Sequence, residues 1–174
     1  MEPQELRIER RGHVEILTID RPAARNALTL ATYAALERAV RETTARCLVI
    51  TGAGSAFCSG DDVKQVMGSG DRRAGERLAA SPPRLTPAAE ALLTTNVPAI
   101  AAVNGAAVGW GMELALLCDL RIAAESARFG ELFVLRGLCC DVAGLARLAS
   151  VVGREKAAEL LFTGEVIDAR EAER

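Results

Sequence analysis

The feature that most limits what this chain can fold into is a strand-like apolar run followed by a glycine-rich loop, and it occurs twice. Cys47-Leu48-Val49-Ile50 leads into a loop carrying Gly52, Gly54 and Gly60, and Pro98-Ala99-Ile100-Ala101-Ala102-Val103 leads into the loop Asn104–Gly111. The second loop enters a helical segment, Met112–Leu117, and another apolar run, Leu120–Ala123, comes after it. Short continuous apolar runs bounded by turns read as buried strands, and strands alternating with helices read as parallel sheet. The expected fold class is therefore α/β. A loop that leaves a buried strand and enters a helix aims main-chain N–H groups at the positive end of the helix dipole, where an oxyanion is well received. Glycines that only permit tight turns would look the same in either loop taken alone.

The flanking segments fit this frame. Leu6-Arg7-Ile8-Glu9 and Val14–Ile19 alternate around Gly12-His13 and predict a hairpin. Leu30, Tyr33, Leu36 and Val40 recur at helical spacing between Thr29 and Ala45, with Thr29 or Asn26 as cap. The stretch from Gly68 to Pro83 has the composition of a surface linker. Ala143–Val152 and Glu155–Phe162 predict two helices broken at Gly153, and Asp168 predicts the cap of a last helix.

Composition narrows the function. The 174 residues, 50% hydrophobic and 25% charged, suffice for one core, so a single domain over 1–174 is expected. A formal net charge of -2 without blocks of one sign points away from nucleic acid and anionic membranes. No apolar run reaches the roughly 18 residues of a spanning helix, and the first residues lack a signal-peptide core. The five cysteines (Cys47, Cys58, Cys118, Cys139 and Cys140) form no C-x-x-C pair, and His13 stands far from them; this argues against disulfides and metal and for a cytoplasmic setting. Gly109-Trp110-Gly111 is followed by Met112-Glu113-Leu114 where a nucleotide fingerprint needs a third small residue, and no phosphate-loop pattern occurs. With no G-x-S-x-G motif and one histidine on an outer hairpin, a nucleophile triad lacks its base.

Three separated motifs carry a family resemblance. They are Asp20-Arg21-Pro22-x-x-Arg25-Asn26-Ala27-Leu28; Ala56-Phe57-Cys58-Ser59-Gly60-Asp61-Asp62-Val63-Lys64; and Ala102-Val103-Asn104-Gly105-x-x-x-Gly109-x-Gly111-x-Glu113-Leu114-Ala115. In this order, continued by Cys118–Ala123 and Leu160–Gly164, they resemble the enoyl-CoA hydratase/isomerase (crotonase) superfamily from about Leu6 onward. The resemblance implies a crotonase-like β-β-α superhelix, and an acyl-CoA whose thioester oxygen sits between two main-chain N–H groups. By matched position these belong to Asp61 and Trp110. Coenzyme A would be part of the substrate and no separate cofactor is implied. Arg25, Asp61, Asp62, Val63, Lys64 and Trp110 fall on substrate-contact positions, with Arg21 nearby as a further cation. Where relatives carry a small residue this chain has Trp110, which keeps the N–H but brings a ring that either packs in the core or shapes the acyl pocket.

The resemblance also places the acid and base. Glu113 matches one of the two hydratase glutamates, although a carboxylate in a first helical turn is also explained by the dipole. The second glutamate position falls on Phe133, which exchanges no proton; Glu131, two residues away, is read as structural. Asp141 matches the acid of several family isomerases and equally suits a helix N-cap. Glu113 and Asp141 are thus the expected catalytic pair, with isomerisation of an unsaturated acyl-CoA slightly ahead of hydration of a 2-enoyl-CoA. Cys139 and Cys140 read as small buried hydrophobes. Relatives continue past the position of Arg174 into a helical region that covers the acyl site and builds trimers or hexamers. A C-terminally truncated crotonase core is therefore expected. Its alternative of another class is an inactive fragment or a CoA-binding pseudoenzyme.

Overall fold

The computed structural model describes residues 5–66, 85–140 and 143–174. The linker expected at 68–83 and the candidate acid Asp141 lie outside the described residues.

Two sheets organise the fold. The first has five strands: β1 (Leu6–Arg11), β2 (Val14–Ile19), β3 (Cys47–Gly52), β5 (Ala99–Val103) and β7 (Leu120–Ala123), in that spatial order. The β1–β2 pair is the expected antiparallel hairpin, and every later pairing is parallel, with Leu48 opposite Ala99 and Ala101 opposite Arg121. The second sheet has four short strands: β4 (Ala56–Cys58), β6 (Ala106–Val108), β8 (Arg128–Gly130) and β9 (Ile167–Asp168). Each of β3, β5 and β7 is followed at once by its partner in the second sheet, β4, β6 and β8. The chain therefore climbs one sheet and then the other on each turn, as in a β-β-α superhelix.

Helices close the turns. α1 (Leu30–Glu42) starts at Thr29, whose hydroxyl accepts the Thr32 N–H in a reciprocal capping box. Its buried face is Thr32, Leu36, Ala39 and Val40; Leu30, expected on that face, is the first residue of the helix and is 65% exposed. α2 (Val63–Val66) and α3 (Pro87–Thr94) come next, α3 being capped by Thr86. α4 (Trp110–Leu117) has all eight residues buried, so it is the central helix of the fold. It packs against the second sheet closely enough that a Cβ on Gly111 would lie 2.1 Å from the Cys58 carbonyl oxygen. Only glycine tolerates that approach. Further on, a π-helical turn (Ala143–Leu148) runs into α5 (Ala149–Val152), and α6 (Arg154–Thr163) follows Gly153. α7 (Ala169–Glu173) is capped by Asp168, which accepts the Glu171 N–H.

The second sheet and α3 have no counterpart in the sequence expectations. The strands β4, β6 and β8 are three residues each; β4 and β6 fall inside what read as glycine-rich loops and β8 in a stretch given no element, so period-2 alternation has no room to show. Among the described residues no helix is long and apolar enough to cross a membrane.

Candidate active site

The first motif braces the second. Arg25 and Asn26 both adopt left-handed φ, 51° and 58°, and this turns the buried Asn26 side chain inward. Its Oδ1 accepts the Arg21 N–H at 3.0 Å, and its Nδ2 donates to the carbonyls of Ala53 (2.9 Å) and Ala56 (2.7 Å). Leu28 N–H donates to Gly60 O and Asp62 N–H to Leu28 O, both at 2.8 Å, forming a parallel bridge that fixes the Ser59–Asp62 loop. Asn104 reaches the same strand end, donating through Nδ2 to Gly54 O and Ala56 O.

This bracing places Asp61 beside the start of α4. Gly60 has φ +89°, and a Cβ built on it would stand 3.2 Å from the Trp110 main-chain N. Gly109 precedes α4 with φ +55°, and its N–H donates to Gly130 O at 2.9 Å. A small cavity of about 100 Å³ opens at this junction, with Asp61, Trp110, Leu132, Phe133, Arg136 and Leu138 in its lining. The two residues expected to supply oxyanion donors, 49 positions apart, thus share one cavity with Phe133. The Trp110 ring is 3% exposed and meets Tyr33 edge-on, with centroids 4.7 Å apart at 85°. Tyr33 also donates its hydroxyl to Asp61 Oδ1 at 2.5 Å. The sequence showed Tyr33 only as part of the α1 stripe, and nothing in that pattern points across to Asp61 or Trp110.

Glu113, at the fourth position of α4, is 1% exposed. Its Oε2 accepts two main-chain N–H groups, from Ala143 at 2.7 Å and Gly144 at 3.0 Å. These two donors fix the position of the carboxyl group in its buried setting. A Cβ on Gly144 would come within 2.8 Å of Glu113 Oε1, so this glycine allows the π-helical turn to close on the carboxyl. Glu131 precedes a 3-10 turn (Leu132–Arg136) and is equally buried, although the sequence did not mark it as such. Cys139 and Cys140, read as small buried hydrophobes, are exposed and half-buried respectively, because the loop before the π-helical turn lies at the surface; partial desolvation, with the neighbouring Cys139, Glu113 and Glu131, raises the Cys140 thiol to about 12.

Other candidates stand apart from the cavity or are engaged elsewhere. Arg21 pairs with Glu5 at 2.9 Å and with Asp62 at 3.0 Å, so Asp62 and Arg21 answer each other within the scaffold. Arg25 and Lys64 are exposed; Val63 is the exception, being one of the residues that line the cavity. His13 is exposed in the hairpin turn.

A family model described as enoyl-CoA hydratase/isomerase matches residues 9–174. The chain belongs to the enoyl-CoA hydratase/isomerase family. It is 34% identical to a probable enoyl-CoA hydratase of Rhizobium meliloti, covering 100% of this chain and 67% of that protein. It is 38% identical to the 2,3-dehydroadipyl-CoA hydratase of Escherichia coli, covering 97% and 66%. Among solved structures, the enoyl-CoA hydratase of Bacillus anthracis superposes with a TM-score of 0.86 at 32% identity, covering 98% of this chain and 67% of that one. The crotonase fold expected of the family is therefore the fold of this chain, which spans about two thirds of the length of these relatives.

Proposed function

We propose that this protein acts on an unsaturated acyl-CoA by holding its thioester oxygen between the main-chain amides of Asp61 and Trp110, with Glu113 as the proton-transfer group. The observation that carries this reading is the meeting of Asp61 and Trp110 at one cavity, with Glu113 one turn further along the helix that Trp110 begins. A thioester enolate concentrates negative charge on one oxygen. Each preorganised donor to such an oxygen lowers the barrier by about 3 kcal/mol.

Hydration is the first reading, supported by the names of the relatives, which move the balance away from the isomerisation favoured on the sequence. Glu113 takes a proton from water as the water oxygen bonds to Cβ and the π electrons shift to the thioester oxygen. The enolate then collapses as Cα takes up the proton that Glu113 removed from the water, which returns Glu113 to its carboxylate form. Isomerisation is the second reading, supported by Phe133: an apolar ring lines the cavity where a second carboxylate would hold the attacking water. Moving a double bond needs one base beside a stabilised enolate, and Asp141 is the second proton carrier in that scheme.

The test is turnover by the purified 174-residue chain. Loss of the conjugated enoyl absorbance from crotonyl-CoA reports hydration, and its appearance from a 3-enoyl-CoA reports isomerisation. Turnover of neither overturns the proposal in favour of a non-catalytic CoA-binding or inactive form. The solution mass, measured alongside, shows whether the 174-residue chain assembles without the C-terminal region to which the trimer or hexamer was tied.

A further inference from the structure

Cys139 and Cys140 have no part in the proposed function, and they are the only adjacent pair among the five cysteines of the chain. They lie between Gly137, which ends the 3-10 turn with φ +67°, and the π-helical turn that opens at Ala143. Cys139 is exposed and Cys140 half-buried, whereas Cys58 and Cys118 are buried and Cys47 stands by itself in β3. A hydrogen bond joins the Cys139 and Cys140 side chains, so the two sulfurs are turned toward each other. Cys140 Sγ is also backed by the fold: a Cβ on Gly144 would meet it at 3.1 Å and Glu113 Oε1 at 2.8 Å. Neither thiol is among the described residues lining the cavity.

Such a pair is poorly placed for a direct S–S bond and well placed for a one-atom bridge. Among the described residues no peptide bond is cis. The two Cα atoms therefore stand about 3.8 Å apart, closer than the roughly 4.4 to 6.8 Å of ordinary disulfides. A larger atom set between the sulfurs widens the ring and relieves that strain. We propose that Cys139 and Cys140 form a dithiol site that chelates a soft thiophile, trivalent arsenic carried by a monosubstituted organic arsenical. The exposed Cys139 makes the first bond and Cys140 closes the ring. Two S–H bonds break and two As–S bonds form. The arsenic-bound oxygen leaves as water with both thiol protons, and no oxidation state changes. Because the second bond is intramolecular, the pair holds arsenic more tightly than one thiol does by a factor on the order of 10² or more.

The probe is phenylarsine oxide, added to the reduced 174-residue chain. The intact mass is expected to gain one phenylarsenic unit in place of two hydrogens, with two reactive thiols lost and the label on the peptide that holds Cys139 and Cys140. Excess mercaptoethanol, with one thiol per molecule, should leave this adduct in place, and dimercaptopropanol should remove it. Cys139→Ser changes one atom at an exposed position and is expected to weaken retention by about 10² or more, as is Cys140→Ser. Cys47→Ser should have no effect. Absence of an adduct, an adduct that mercaptoethanol strips from the wild-type chain, one that Cys139→Ser retains, or one that Cys47→Ser loses overturns the inference. No acyl-CoA enters the measurement, so its failure leaves the proposed function standing, and a chain without turnover leaves the dithiol site standing.

Discussion

Asn26 and Glu113 are both buried polar side chains, and each is satisfied by main-chain groups far away in sequence. Asn26 holds the carbonyls of Ala53 and Ala56, so Asn26→Ala leaves these acceptors short of partners in the core. The expected loss is about 2 to 3 kcal/mol, read as a lower denaturant midpoint at unchanged slope. Glu113 is held by the Ala143 and Gly144 amides, which an amide side chain can also accept. Glu113→Gln should therefore fold normally while hydration falls by about 10² or more, and unchanged hydration would return Glu113 to a structural role. Asp141→Asn should remove isomerisation with the unfolding midpoint retained; activity near wild type excludes Asp141 as the base. The identities of these residues were legible in the sequence and their partners were not. Asn26 stood in a motif beside Arg21 and Arg25, which suggested ligand contact. Yet Arg21 is engaged by Glu5 and Asp62, and a single sequence carries no signal for hydrogen bonds spanning about thirty residues.

α4 shows what an element can reveal and what it hides. Its apolar run, the glycines before it and the acidic residue in its first turn were readable from residue types alone. Its start was placed at Met112, two residues late, because Trp110 and Gly111 resemble loop composition and only the packing of Gly111 on Cys58 brings them into the helix. The C-terminal carbonyls of α4 are answered by arginines: Arg147 donates to Leu116 O and Leu117 O, and Arg121 to Cys118 O. Arg147 comes from the same π-helical turn whose start supplies the Glu113 donors, so one element grips α4 at both ends. Gly144→Ala tests that grip. The new Cβ would lie 2.8 Å from Glu113 Oε1 and 2.9 Å from Cys140 Cβ. A destabilisation of about 1 to 3 kcal/mol is expected in equilibrium unfolding, with hydration lowered as the carboxyl is displaced.

On the scale of the whole molecule, the three climbs from first to second sheet bury two thiols within the stack. Burial raises Cys58 and Cys118 from 9.0 to about 12. Both are acids that the folded state keeps protonated and the unfolded chain releases above pH 9. Their contribution is complete below that pH and is lost as pH rises toward about 12. Urea midpoints should fall between about pH 8 and pH 10.5; replacing both thiols with alanine should flatten that slope, at a cost in overall stability. The first sheet was legible because its strands are long enough for their apolar runs to stand out. The second was not, because its strands are short and make sense only when stacked on one another.

The complete burial of α4 has a consequence for insertions. A surface helix can gain a residue and turn the change toward solvent, but this one is enclosed on every side. One residue added between Trp110 and Glu113 would swing the carboxyl about 100° around the axis. It would then turn away from the Ala143 and Gly144 amides, with no solvent-facing direction in which the misfit could relax.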